Sequence, residues 1–215
     1  MRRSQKVSHR APGIARRKRL IAAARTLLAH RDLDEISLAD VARAARIPKG
    51  SAYHYYDDIL DLYVQLIAVF GAEMLEDVRR PLRGSPGSWM QIVALLVRRG
   101  ADYFNEHRAA RQLLISPKTP PELKLRDRQS DKRIARLFET QIAERFVLPR
   151  SPGRTATFFR AVEIADLMFS LSMLEHGSIT PQMTREAIRG VTGYLKAHLP
   201  PSLPRRARGS GRAGA

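Results

Sequence analysis

The sequence predicts an all-α fold: a small basic N-terminal head of three helices, joined by a fourth helix to a larger helical body. Three observations carry this. Apolar residues recur at helical spacing in nearly every segment, with little apolar–polar alternation. Turn signals rich in Pro, Gly and Ser separate these segments. The 215 residues are 44% hydrophobic, enough for a substantial core and too many for a disordered chain.

The elements follow in order. Helix 1 is expected over residues 16–30, on an apolar stripe of Leu20, Ile21, Ala24, Leu27 and Leu28. Helix 2 starts after Ser37, a natural N-cap, with Asp40 three residues on as a weaker form of the capping box. It runs to Ala45. The turn Arg46-Ile47-Pro48 leads to helix 3, residues 49–55. Helix 4 starts near Asp57 and Asp58, whose carboxylates suit a helix N-terminus. It runs to Arg80, where Pro81 and then Gly84-Ser85-Pro86-Gly87 stop it. Helices 5 and 6 are expected over 88–105 and 107–116, before the breakers Pro117, Pro120 and Pro121. Helix 7 covers 122–146, closed by Pro149 and Ser151-Pro152-Gly153. Helix 8 covers 154–176, with Gly177 just past its end. Thr180 caps helix 9, Pro181 takes its first position, and Pro200-Pro201 ends it. There is no internal repeat. The expected organisation is a disordered basic arm (1–15), a small basic head (16–62), a larger helical body (63–200) and a disordered basic tail (201–215).

The charge narrows the partners. Lys and Arg number 38 against 21 Asp and Glu, a formal net charge of +17. The first 31 residues hold ten basic residues and no acid. After Pro204 come Arg205, Arg206, Arg208 and Arg212, again without an acid. Such arms suit a polyanion, either nucleic acid or an acidic membrane surface; nucleic acid is the favoured reading for the N-terminal arm, and a solubilising role in an arginine-rich composition is the favoured reading for the tail. No cysteine is present, which excludes disulfides, thiolate catalysis and cysteine-ligated metal. No uncharged apolar run approaches the roughly 18 residues that span a bilayer. The arginine-rich start lacks the apolar core of a signal peptide and runs straight into a helical pattern, so a cytoplasmic protein is expected. The six histidines have no metal-ligand spacing. There is no phosphate-binding glycine loop, H-E-x-x-H or G-x-S-x-G. Neither an enzyme, nor a metal, nor a cofactor is expected.

Two short helices joined by a tight turn, behind a first stabilising helix, form a helix-turn-helix reader of the DNA major groove. Helix 3 would present Lys49, Gly50, Ser51 and Ala52, then Tyr53-His54-Tyr55-Tyr56. Lys49 reaches a guanine edge or a phosphate, Gly50 and Ser51 permit close backbone approach, and tyrosine hydroxyls bind phosphate. Tyr56 is assigned to the small core of the head.

The stretch from Ser37 to Tyr56 resembles the DNA-binding signature of the TetR/AcrR family of bacterial transcriptional regulators, approximately T-x-x-x-I-A-x-x-A-G-V-S-K-G-T-L-Y-x-H-F. Ser37 stands at the Thr, Val41-Ala42 at the Ile-Ala, Ala45 at the Ala and Ile47 at the Val. Lys49-Gly50-Ser51 stand at the Lys-Gly-Thr, and Tyr53 at the Tyr. Arg46 replaces the turn glycine, Pro48 the Ser cap, Ala52 the Leu and Tyr56 the Phe. Ile59 stands where the family usually carries a lysine that touches phosphate. The resemblance implies a dimer that binds a near-palindromic operator, usually as a repressor, and a small molecule in the body that moves helix 4 and releases the DNA. The candidate DNA-contacting residues are Ser37, Arg43, Arg46, Lys49, Gly50, Ser51, Tyr53, His54 and Tyr55.

In the body, helix 8 is apolar on more than one face, and helix 9 carries Gly190 and Gly193. The resemblance assigns this pair to the dimer interface. Asp166 falls on the apolar stripe of helix 8, where a carboxylate needs a partner. It either pairs with an arginine or faces a ligand. The candidate ligand wall is Trp89, Val93, Leu96, Tyr103 and Phe104 from helix 5, with Phe159, Asp166 and Phe169 from helix 8. Gly100 removes volume there, which suits a cavity. The expected effector is hydrophobic or aromatic. The alternative is a basic helical protein that binds nucleic acid or an acidic membrane surface nonspecifically.

Overall fold

The computed structural model describes residues 10–82 and 84–206. Among these, the chain forms α1 (Arg10–Leu28), α2 (Leu38–Ala44), α3 (Lys49–Tyr53), α4 (Ile59–Arg79), α5 (Trp89–Glu106), α6 (Arg108–Leu114), α7 (Pro121–Ala143), α8 (Arg154–His176) and α9 (Pro181–Lys196). The fold is all-α, and the described residues contain no strand beyond one isolated antiparallel bridge between Phe146 and Arg205. None of the described helices is long and apolar enough to cross a membrane.

Both expected boundaries of disorder need correction. Helix α1 begins at Arg10, not Arg16. Pro12 falls in its first turn, where the missing N–H has no intrahelical partner to lose. The rest of the expected arm, residues 1–9, lies outside the described residues. At the other end, residues 201–206 are tied down. Leu203 is buried, the Val147 N–H donates to the Pro204 carbonyl, and the Arg206 N–H donates to the Arg145 carbonyl. Residues 207–215 of the expected tail lie outside the described residues.

The described chain divides into two compact units. One comprises residues up to Glu73 together with Phe104–Arg128; the other comprises Met74–Tyr103 together with residues from Gln129 onward. In the first, Leu20, Ala24 and Leu28 of α1 are buried, as are Val41, Ala42 and Ala52 of the head and Leu62, Leu66 and Phe70 of α4. Helix α6 belongs to this unit, and Gln112 fastens it. The buried Gln112 amide donates to the carbonyls of Leu28 (2.6 Å) and Arg31 (2.7 Å) and accepts from the Leu33 N–H (2.9 Å). It thereby satisfies carbonyls that the end of α1 leaves without an intrahelical donor. Arg108 and Lys118 add ion pairs to Asp32 at 2.8 and 3.2 Å.

In the second unit, α8 and α9 form an antiparallel hairpin. Gly177 turns the chain in the left-handed region (φ 68°). Thr180 caps α9 by accepting from the Met183 N–H, with Pro181 following at the first position. A Cβ on Gly190 would stand 3.2 Å from Ile164 Cγ2, so this glycine permits close approach of α9 to α8 within one chain. Trp89 is fully buried and donates its indole N–H to the Pro200 carbonyl (2.9 Å). Arg99 donates to the carbonyls of Val78, Arg80 and Pro81, closing the C-terminal end of α4.

Candidate nucleic-acid interface

The reading head is built from short-range rules. Ser37 and Asp40 complete a full capping box: Ser37 Oγ accepts from the Asp40 N–H, and Asp40 accepts from the Ser37 N–H and hydroxyl. The Ser37 hydroxyl and N–H hold the Asp40 carboxyl below its ordinary range, with help from the charges of Arg43 and Arg31. Ser37 is exposed, but its side chain is engaged as a helix cap.

The turn between α2 and α3 is made by Arg46 at φ 52°, the only non-glycine residue at positive φ among the described residues. The turn therefore keeps the left-handed geometry that glycine provides, with an arginine in its place. One reason is visible in α1. The Arg19 guanidinium donates to the carbonyls of Ala45 and Arg46, the latter at 3.1 Å, and so holds both carbonyls at the end of α2. Ile47 is buried, and its N–H donates to Ala42 at 2.9 Å. Pro48 then starts α3 without a side-chain cap.

Helix α3 has two unlike faces. Ala52 points inward and is fully buried, and Tyr56 follows it into the core, donating to Gln65 at 2.9 Å. Burial pushes the Tyr56 phenol up. Lys49, Gly50, Tyr53 and His54 are exposed, and Ser51 is half-buried. Lys49 Nζ lies 5.7 Å from the centre of the Tyr53 ring. A Cβ on Gly50 would meet nothing within 4 Å. No described residue thus requires glycine there, although glycine costs about 1 kcal/mol relative to alanine inside a helix. A surface approaching from outside would explain its place.

Arg43 and Arg46 flank this face and are exposed; Arg43 pairs with Asp40 at 3.3 Å. Tyr55 is placed differently from its neighbours. It is half-buried, its hydroxyl would lie 3.6 Å from a Cβ on Gly13, and the Arg17 guanidinium stands 5.3 Å from its ring centre. Tyr55 therefore braces the start of α1. The exposed row Arg16, Arg17, Lys18 and Arg19 adds charge to the head. Sequence reasoning missed the roles of Arg19 and Gln112, because their partners lie 26 and more residues away in the chain.

The structure packs most of the expected ligand wall as core. Trp89, Val93, Leu96, Tyr103, Phe104 and Phe169 are all buried, with Phe104 in a different unit from the rest. The volume released at Gly100 is filled rather than open: a Cβ there would meet Met74 at 3.4 Å and Phe169 at 3.5 Å. Asp166 and Phe159 are half-buried, and Lys132 Nζ lies 5.8 Å from the Phe159 ring centre. None of these eight residues lines the clefts of about 730, 480 and 370 Å³ that the described residues of the second unit form. Among the described residues, no group of three or more His, Asp or Glu could hold a metal.

Comparison with known proteins agrees with the head and the fold. Residues 20–66 match the family model of bacterial regulatory proteins of the tetR family. No curated protein sequence matches the chain. Among solved structures, a TetR-family transcriptional regulator from Streptomyces coelicolor superposes with a TM-score of 0.62 at 20% identity, covering 85% of this chain and 98% of that one. FadR from Thermus thermophilus, a TetR-family repressor in complex with lauroyl-CoA, gives 0.61 at 18% identity, covering 93% and 100%. A TetR regulator from Rhodococcus gives 0.62 at 16%, covering 84% and 96%. At these identities the likeness is one of fold. Residues 20–66 of the head are thus similar to the tetR-family model, and the chain shares the fold of the TetR-family structures it superposes on.

Proposed function

We propose that this chain is a ligand-responsive transcriptional repressor that binds a near-palindromic DNA operator as a homodimer in the cytoplasm. The observation that carries the reading is the outward face of α3, where Lys49 and Tyr53 are exposed beside a glycine that the fold does not need. Lys49 contacts a base edge or phosphate, and Tyr53 and Ser51 contact the backbone. Arg43, Arg46 and the basic face of α1 supply the sequence-independent attraction.

Dimerisation is supported by α8. Leu167, Leu171 and Leu174 are spaced along one helical face and remain 56%, 37% and 67% exposed. A partner copy would cover them, and the two-fold axis would set two heads against two half-sites. A small-molecule effector with an apolar or aromatic part binds the body, as lauroyl-CoA binds the Thermus relative. Helix α4 is one unbroken helix from Ile59 to Arg79, so a shift at its C-terminal end is carried to its N-terminal end. A tenfold loss of DNA affinity needs only about 1.4 kcal/mol of differential effector binding.

Selection from a random duplex library tests this reading. Enrichment of a two-fold symmetric sequence, lost in Lys49→Ala, is the expected result. The formal charge of +17 favours one other reading, nonspecific polyanion binding, which predicts no enriched sequence at all.

A further inference from the structure

A cleft of about 730 Å³ lies between the C-terminal end of α4 and α7. Its volume is within the range of small-molecule sites. Its walls carry Arg79, Arg133, Arg136 and Arg145, with Leu75 and Leu137 as the apolar surface between them. Glu144 is the single carboxylate in the lining, and it is already paired with Arg145 at 3.4 Å. Arg79 pairs with Glu76 at 2.6 Å. The guanidinium groups of Arg133 and Arg136 make no hydrogen bond or ion pair with any described residue.

This arrangement has a local cost. Arg133 and Arg136 are three residues apart on α7, where like charges repel. Like charges gathered around a concavity create a strong positive potential that an anion relieves. A second cleft of about 480 Å³ shares Glu144 and Arg145 with it and adds Arg205 and Arg206. Guanidinium groups match the oxygen geometry of phosphate and carboxylate. The apolar strip of Leu75 and Leu137 would accept a short hydrocarbon segment beside such a head.

We propose that this cleft is the binding site for a small amphipathic organic anion, with a phosphate-type head on Arg133 and Arg136 and an apolar part against Leu75 and Leu137. The anion is the effector of the repressor proposed above; only that regulatory role rests on that reading, since binding itself needs no DNA.

The test is calorimetry of the full chain without DNA, using octyl phosphate and inorganic phosphate as probes. The wild type should bind octyl phosphate at least tenfold more tightly than inorganic phosphate. The double variant R133A/R136A, with both changes on exposed side chains, should lose at least tenfold in octyl phosphate affinity while keeping its thermal midpoint. Leu137→Ala should narrow the difference between the two probes. Equal octyl phosphate affinity in wild type and R133A/R136A overturns the site. So does a double variant whose only defect is weaker binding of nonspecific duplex DNA, because the cleft would then serve the nucleic acid. Absence of any selected operator would remove the regulatory role and leave these binding results intact.

Discussion

Arg19 and Arg46 form one unit across the head: the guanidinium of the first holds the carbonyl of the second at 3.1 Å, in a turn where Arg46 sits at φ 52°. A side chain in this conformation costs roughly 1–2 kcal/mol, and the Arg19 hydrogen bonds offset part of it by satisfying two carbonyls at the end of α2. Arg46→Gly should therefore raise stability by about 0.5–1 kcal/mol, after allowing for the flexibility glycine adds to the unfolded chain. Arg19→Ala should lower it by about 1 kcal/mol or more. Urea unfolding checks both. A destabilised Arg46→Gly would mean that the side chain contributes more than its backbone strain costs.

Gln112 ties α6 to the end of α1 through three hydrogen bonds in a buried setting. Gln112→Leu fits the space but strands two carbonyls and an N–H. The expected loss is roughly 2–4 kcal/mol in urea unfolding, because buried polar groups without partners are costly. A loss below about 1 kcal/mol would show that water or a shifted loop takes over the three hydrogen bonds.

Gly50 separates stability from recognition. Since a Cβ there meets no described residue within 4 Å, Gly50→Ala should stabilise the protein by up to about 1 kcal/mol through helix propensity. The same change should weaken operator binding if α3 faces DNA as proposed, since the added methyl would stand on that surface. Lys49→Ala should weaken it by about 1–3 kcal/mol if the amine reads a base. Titration of the selected operator measures both; unchanged affinity in each variant would remove α3 from the interface.

Deleting residues 2–9 takes away Arg2, Arg3 and Lys6 and keeps every described residue of α1. The slope of log K against log salt should become shallower by roughly 0.9 for each phosphate that the arm neutralises. An identical slope would show that the arm does not touch DNA.

The dimer proposed above rests on the apolar row on α8. Leu167→Asp combined with Leu174→Asp changes two exposed positions, so the fold should persist with a helical circular dichroism spectrum unchanged. Sedimentation should show a dimeric wild type and a monomeric double variant at micromolar concentration. Gly193→Leu serves as a second probe, since a Cβ there meets nothing within 4 Å in its own chain. Wild-type monomer would end the dimer reading.

Much of the head was legible in the sequence because its determinants are local. The Ser37–Asp40 capping box and the Pro48 start of α3 each depend on neighbours within a turn or two, whereas Ala52, expected among the residues presented to DNA, points inward and is fully buried. The helical periods of α4, α5, α8 and α9 and their stop signals were legible for the same reason. What the tertiary structure decided lies at long range. Periodicity marks Trp89, Leu96 and Phe169 as an apolar wall, but only packing fixes whether a wall closes on other side chains or lines a cavity; here Met74 and Phe169 fill the space at Gly100. The pattern of α7 likewise shows a row of exposed cations without showing that Arg133 and Arg136 share a concave surface with Arg79. Arg19 at the α2–α3 turn and Gln112 at the end of α1 belong to the same class, because a side chain's partner across 26 or 84 residues is set by the fold that brings the two segments together.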